Sequence, residues 1–368
     1  MTTLTAAVTA GQGAPFTLEE VELVDLRPDE VLVRVAAAGI CHTDLIVRDQ
    51  WYPVPLPAVL GHEGAGIVER VGMAVCGVKA GDRVAMSFHS CGGCGSCLTG
   101  HPSYCRDFFG RNFGASRPDG STALSHGGAP LHAHFFGQSS FATLSVANAR
   151  NVVPLDCSIR LDLAAPFGCG IQTGAGAVLN VLRPDPGSSI AVFGTGTVGL
   201  AAVMAAAAAG CTTIIGVDRL SSRLAMAREL GATHVVDTRE VDAESAIERI
   251  APGGVAYSLE TTASPAVLRH AVECLAPMGV CGVLGAAAFG TEVSLDMNSI
   301  LVAGRSVRGI VEGDCVPQEF IPRLLHLWEL GRFPVGEIMR FYDFDQIEQA
   351  ARDAEAGVVV KPVLRMGG

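Results

Sequence analysis

The chain has 368 residues, enough for two or three domains, and 49% of them are apolar against 17% charged, which excludes a disordered or strongly solvated polypeptide. A net charge of −11 without any run of Lys or Arg argues against nucleic acid or an anionic membrane surface as partner. The longest apolar stretch of helical character, Val198 to Cys211, is too short for a bilayer and carries glycines, and the N-terminal segment lacks a basic start followed by a long apolar run, so no membrane association and a cytoplasmic location are expected.

Residues 1 to about 150 read as short strands broken by Gly and Pro. Glu30–Ala36 and Gly66–Val71 alternate apolar and polar residues with the two-residue period of half-buried strands. The Gly-, Ser- and His-rich stretch 111–137 reads as a long loop, and Phe135 to Phe141 returns to apolar character. This half is expected to be mostly β. The pattern changes near Pro184. Ser189–Phe193 is a buried strand, Leu200–Ala209 an Ala-rich helix, Ile214–Val217 a second strand ending at Asp218, Ser222–Leu230 a helix stopped by Gly231, and Val235-Val236 a third strand. Further strands are expected at Val255–Leu259, Val280–Leu284 and Ser306–Ile310. Strands alternating with helices imply a parallel, doubly wound α/β sheet. A helix over Pro317–Leu330 and a strand at Val358–Leu364 complete the chain.

Within the second half, Gly194-Thr195-Gly196-Thr197-Val198-Gly199 joins the first strand to its helix, and Asp218 stands nineteen residues past Gly199 at the end of the next strand. With Gly at 44 of 368 residues, GxGxxG alone carries little weight; the strand–turn–helix context carries it. Gly194 permits the tight turn, Gly196 lets backbone approach a pyrophosphate, and Gly199 lets helix and strand pack closely. The N-terminus of the helix, with Thr197 and Val198 in the turn that opens it, offers free N–H groups to phosphates. Asp218 accepts ribose hydroxyls and repels a 2′-phosphate, favouring NAD over NADP, while Arg219 and Arg223 weaken that preference.

Four of the twelve cysteines cluster as Cys91-x2-Cys94-x2-Cys97-x7-Cys105. In a long chain without export features, clustered thiols point to metal rather than disulfides. Four sulfurs suit either an iron–sulfur cluster or a closed tetrahedral zinc; the Gly-rich lobe and the lack of any other electron-transfer feature favour structural zinc. Cys41, His62 and Cys169 are dispersed, and spacing alone leaves ligation and ordinary packing equally open.

The stretches GICHTD (39–44), GHEGAG (61–66), the four-cysteine lobe, GCGIQTGAGAV (168–178), the GTGTVG to GVD fingerprint and the closing VKPVL (360–364) stand in the order of the zinc-dependent medium-chain alcohol dehydrogenases. The chain resembles that family nearly end to end, and RDQWYP (48–53) with HAHFFGQSSF (132–141) is most similar to its bacterial aryl (benzyl) alcohol dehydrogenases. The resemblance implies a GroES-like, mostly-β catalytic domain over residues 1–170 with a structural-zinc lobe at 88–108, a Rossmann domain over 171–310, and a C-terminal part, 311–368, returning to the catalytic domain. It also implies two zincs per chain and reversible, NAD-dependent oxidation of primary aromatic or allylic alcohols to aldehydes. A glutathione-dependent formaldehyde dehydrogenase-like enzyme or a broad aliphatic alcohol dehydrogenase is the alternative.

Residue by residue, the likeness makes Cys41, His62 and Cys169 ligands of a catalytic zinc, Thr43 the hydroxyl that takes the alcohol proton, Asp44 the partner of His62, and Glu63 the carboxylate behind the metal. Thr173 and Val198 would back the nicotinamide ring, while His42 and Lys361 would contact phosphates. Liver-type relatives end the proton relay on a His three residues after the Thr; here that residue is Ile46, so the relay must end on the ribose, on water or on a group such as His42. The family assembles as homodimers or homotetramers, with Ser299–Val311 as the expected edge.

Overall fold

A computed structural model describes residues 2–367. They form two compact units, one of residues 2–169, 316–325 and 338–367, the other of residues 170–315 and 326–337.

The first unit carries two sheets. The smaller orders its strands Ala58–Val59, Thr2–Thr9, Phe16–Leu23, Leu124–His126 and Ala129–Leu131, antiparallel throughout. In the larger, Glu30–Gly39 pairs with Gly64–Val71, Leu144–Asn148 and the C-terminal strand Lys361–Arg365. That crowding changes the expected half-buried alternation. In EVLVRVA only Arg34 is exposed, because the segments Leu161–Ala164 and Ala165–Gly168 also pack against this strand. The expected loop 111–137 is also more ordered than its composition suggests. It contains the end of a helix, Phe108–Phe113, and a short hairpin, and it is pinned by a buried ion pair in which Arg117 donates to both oxygens of Glu30 at 2.6 and 2.8 Å.

The second unit is a six-stranded, wholly parallel sheet in the order His234–Asp237, Thr213–Asp218, Ser189–Phe193, Val255–Glu260, Leu275–Val283, Ser306–Gly309. The reversal of strand order at Ser189–Phe193 is the point where such sheets bind ligands. The helix Thr197–Ala209 is buried from Gly199 through Ala206; its small side chains let it pack against neighbours on every side. A Cβ on Gly199 would stand 1.8 Å from the Gly194 carbonyl oxygen, and one on Gly174 would stand 1.9 Å from that of Val198.

The segment 311–368 does not return to the first unit as one piece. Glu312 and Cys315 are tied to Gln172 of the second unit through Gln172 Nε2 to Glu312 Oε2 at 3.0 Å and Cys315 Sγ to Gln172 Oε1 at 3.2 Å, and Arg332 donates to Ala208 O at 3.0 Å. No described helix is long and apolar enough to cross a membrane.

Candidate active site and cofactor site

Cys91, Cys94, Cys97 and Cys105 converge so that their sulfurs lie within 4.8 Å of one another. The Cys91–Cys97 and Cys94–Cys97 sulfurs are 3.9 and 3.5 Å apart, bracketing the spacing of about 3.8 Å that Zn–S bonds of about 2.3 Å impose in a tetrahedron. Backbone N–H groups of Cys91, Cys94 and Arg106 donate to sulfurs of Cys105, Cys91 and Cys94 at 3.3 to 3.4 Å. The Arg106 N–H draws the Cys94 thiol down to about 6, whereas burial pushes Cys105 up to about 11. Little else holds this lobe: the helix Gly95–Leu98 buries none of its residues.

The dispersed trio also converges. Cys41, His62 and Cys169, with Glu63, place their donor atoms within 4.8 Å of one another, Cys41 half-buried and the other three buried. One carboxylate positions two of them. Asp44, fully buried at the third helical position of His42–Arg48, accepts from Cys41 N–H at 2.9 Å with one oxygen and from His62 Nδ1 at 2.8 Å with the other. Donation from Nδ1 leaves the His62 Nε2 lone pair facing the thiols, and that buried atom makes no hydrogen bond. An orphaned imidazole nitrogen beside two thiols is the donor set a zinc ion completes, so the residues fit the metal. The Cys169 thiol, helped by the charges of His62 and Lys361 and opposed by burial, holds Cys41 well below the usual thiol range. Burial disfavours the His62 cation, yet Asp44 outweighs it and holds that pKa above the usual value.

Two residues that sequence reasoning missed brace this centre. Gln138 Nε2 donates to the carbonyls of His62 and Ser87 at 2.9 and 3.1 Å while its Oε1 accepts from Gly64 N–H at 3.1 Å, and Ser87 Oγ donates to Gly168 O at 2.7 Å. Gln138 lies within the stretch 132–141 quoted above for its likeness and Ser87 in no motif; only the fold gives them a role. Thr43 Oγ1 lies 3.7 Å from Cys41 Sγ, Ile46 is buried, and His42 is exposed at the first helical position.

Lys361 corrects an expectation. Its ammonium is not free for a phosphate: buried to 1% exposure, it donates to Glu63 Oε2 and Oε1 at 2.7 and 2.9 Å and to Ile40 O at 3.0 Å. Burial pushes the Glu63 carboxyl up and Lys361 pulls it back; burial likewise disfavours the Lys361 cation, and Glu63 restores it.

Aromatic side chains form a wall beside His62. Phe136 stacks on the imidazole at 4.5 Å and Phe135 meets it edge-on at 5.4 Å. Phe113 lies 5.1 Å from Phe136 and continues to Phe109 at 4.8 Å and Tyr52 at 5.6 Å, with Phe109 half exposed. Phe141 instead packs on Phe16 in the core, and Trp51 is exposed.

In the second unit Gly194 adopts φ +87°, the left-handed turn that only glycine takes without strain. Gly196 has ordinary negative φ, and a Cβ there would meet nothing within 4 Å. Neither packing nor backbone strain demands glycine at 196, so the cradle it leaves fits a pyrophosphate at the N-terminus of the Thr197–Ala209 helix. Asp218 sits at its strand end with one oxygen accepting from Thr195 N–H and Oγ1 at 2.7 and 2.8 Å, and the other from the N–H groups of Arg219 and Leu220 at 2.7 and 2.9 Å. Burial depresses the Arg223 guanidinium against the pull of Asp218. Thr173 Oγ1 donates to Glu312 Oε2 at 3.4 Å, one residue before the glycine packed on Val198.

These features have counterparts in known proteins. The alcohol dehydrogenase GroES-like domain model matches residues 27–156, and the zinc-binding dehydrogenase model matches residues 197–329. The chain is 45% identical to geraniol dehydrogenase of Castellaniella defragrans over 98% of its length and 96% of that protein's, and 34% identical to an alcohol dehydrogenase class-3 of Myxine glutinosa over 98% and 97%. Over the full length of both chains it matches the crystal structures of an alcohol dehydrogenase zinc-binding domain protein from Burkholderia ambifaria at 54% identity and TM-score 0.98, and of benzyl alcohol dehydrogenase from Acinetobacter calcoaceticus at 46% and 0.97. The chain therefore belongs to the zinc-dependent medium-chain alcohol dehydrogenases, NAD-dependent oxidoreductases that join a GroES-like domain to a Rossmann domain.

Proposed function

We propose that this alcohol dehydrogenase interconverts primary aromatic or allylic alcohols and their aldehydes, with NAD as hydride carrier. The aromatic wall that ends on His62 carries the reading, and the likeness to a geraniol and a benzyl alcohol dehydrogenase supports it. A conjugated substrate gains edge-to-face contacts there worth about 0.5–1.5 kcal/mol beyond area burial, which a saturated chain cannot make.

Zinc held by Cys41 Sγ, His62 Nε2 and Cys169 Sγ would supply the Lewis acidity that makes an alcohol O–H acidic. The chain's own residues do the rest. Asp44 fixes the His62 tautomer and the Cys41 backbone, Gln138 holds the His62 loop, and Thr43 Oγ1 takes the substrate proton. Buried Ile46 cannot carry that proton onward, so it leaves towards the cofactor ribose, water or a group such as the exposed His42. All twelve thiols of the chain stand free of disulfides, which supports a reducing, cytoplasmic setting. The edge strand Ser306–Gly309 and the helix Met297–Ala303 leave Leu301, Val302 and Val307 exposed, which supports assembly into a homodimer or homotetramer through that edge.

NADH formation with benzyl alcohol, geraniol, ethanol and hexan-1-ol tests the substrate class. Phe113→Ala is expected to lower kcat/KM for benzyl alcohol relative to hexan-1-ol by about tenfold, the worth of two ring contacts; an unchanged ratio makes the wall ordinary core. Asp218→Asn is expected to narrow the NAD/NADP preference by about 10- to 100-fold, since hydrogen bonds to a charged group are worth about 1.5–3 kcal/mol. Equal ratios in variant and parent would remove Asp218 from ribose recognition.

A further inference from the structure

Glu63 is a fourth potential donor beside Cys41, His62 and Cys169, with a carboxylate oxygen within 4.8 Å of each ligand atom. Zinc takes carboxylate oxygen readily, and four protein ligands make a closed tetrahedral site with no position for substrate. The chain restrains that oxygen. Lys361 Nζ donates to both Glu63 oxygens and, with its third N–H, to the carbonyl of Ile40, the residue before Cys41. An ammonium has three donors, and here all three are used inside protein that excludes water, so the lysine is locked in place. Residue 39 completes the restraint: a Cβ on Gly39 would fall 2.0 Å from Glu63 Oε2, so the carboxylate occupies its position only because that residue lacks a side chain.

Resting on the metal-centre reading above, we propose that Lys361 is a positioning residue that latches Glu63 away from the metal and so keeps the fourth position open for alcohol. The latch joins side chains 298 positions apart in the chain and works by occupying the carboxylate rather than by touching substrate.

Two readouts test it apart from turnover: the visible absorption of protein carrying cobalt(II) in place of zinc, and the rate at which zinc passes to a chelator. Lys361→Met is expected to shift the cobalt bands and to slow zinc release about tenfold, the scale of changes around a metal's ligands, because freed Glu63 closes the site. Adding Glu63→Gln to that variant is expected to restore both readouts. A purely structural lysine predicts the reverse, faster release from Lys361→Met that Glu63→Gln does not correct, and that result overturns the latch. If Lys361→Met does not fold, Glu63→Gln alone decides. A cobalt spectrum equal to the parent's upholds a latched carboxylate, and the spectrum of a lost oxygen ligand overturns it. A parent protein that binds only one metal per chain, at the four-cysteine lobe, overturns the metal-centre reading itself and the latch with it.

Discussion

Cys169→Ser is expected to lower kcat by more than about 10³-fold, roughly 4 kcal/mol of barrier, while leaving NADH binding intact. Changing a partner of a metal ligand already costs about 10–100-fold, and removing a ligand costs more. Serine presents a shorter, harder oxygen that does not ionise as a thiol does, in a site where Cys169 is buried and its thiol is the largest influence on Cys41. Metal content should fall from two zincs to one per chain, while NADH fluorescence titrations should stay unchanged because the dinucleotide features lie in the other unit. Turnover near the parent's would remove the Cys41, His62 and Cys169 centre from the chemistry.

Cys97→Ser should act on stability first. Loss of a structural metal belongs with the substitutions that cost more than about 4 kcal/mol, and here the reason is local. The helix Gly95–Leu98 buries nothing, and Leu98 is 74% exposed, so the packing at Pro102 and Ser103 does not hold this part of the lobe once the metal is lost. Limited proteolysis is expected to cut within 91–105 well before the parallel-sheet unit is attacked, alongside the loss of one zinc per chain. A variant that stays as protease-resistant as the parent while holding one zinc would show that the lobe does not depend on its metal.

The parallel-sheet unit was legible in sequence because its central strands are short apolar runs bounded by turn residues, and each is met in space by a neighbour of the same kind. The expected Ile214–Val217 and Val255–Leu259 differ from the observed Thr213–Asp218 and Val255–Glu260 only at their ends. The four-cysteine lobe was legible because its ligands lie close along the chain. The period of Glu30–Ala36 reads as half-buried, whereas these residues lie between Gly64–Val71 and Leu144–Asn148 with further segments packed against them, a central place that no local period announces. Distance along the chain hid the Glu63–Lys361 pair and left Lys361 assigned to a phosphate. Gln138 and Ser87 carry no spacing signal, and the aromatic wall is drawn from three separate segments, Tyr52, Phe108–Phe113 and Phe135–Gly137.

Because Lys361 lies on the strand Lys361–Arg365, which docks against residues 37–39, the GroES-like unit cannot complete its fold until those residues have been synthesised. The cysteine lobe and the whole parallel sheet are synthesised before the final strand exists, so both can fold while the chain is still growing. Glu63 spends that interval without its lysine. A chain shortened before residue 361 should accordingly lose the fully buried Val363 and Leu364 together with the latch, and fail to complete this unit.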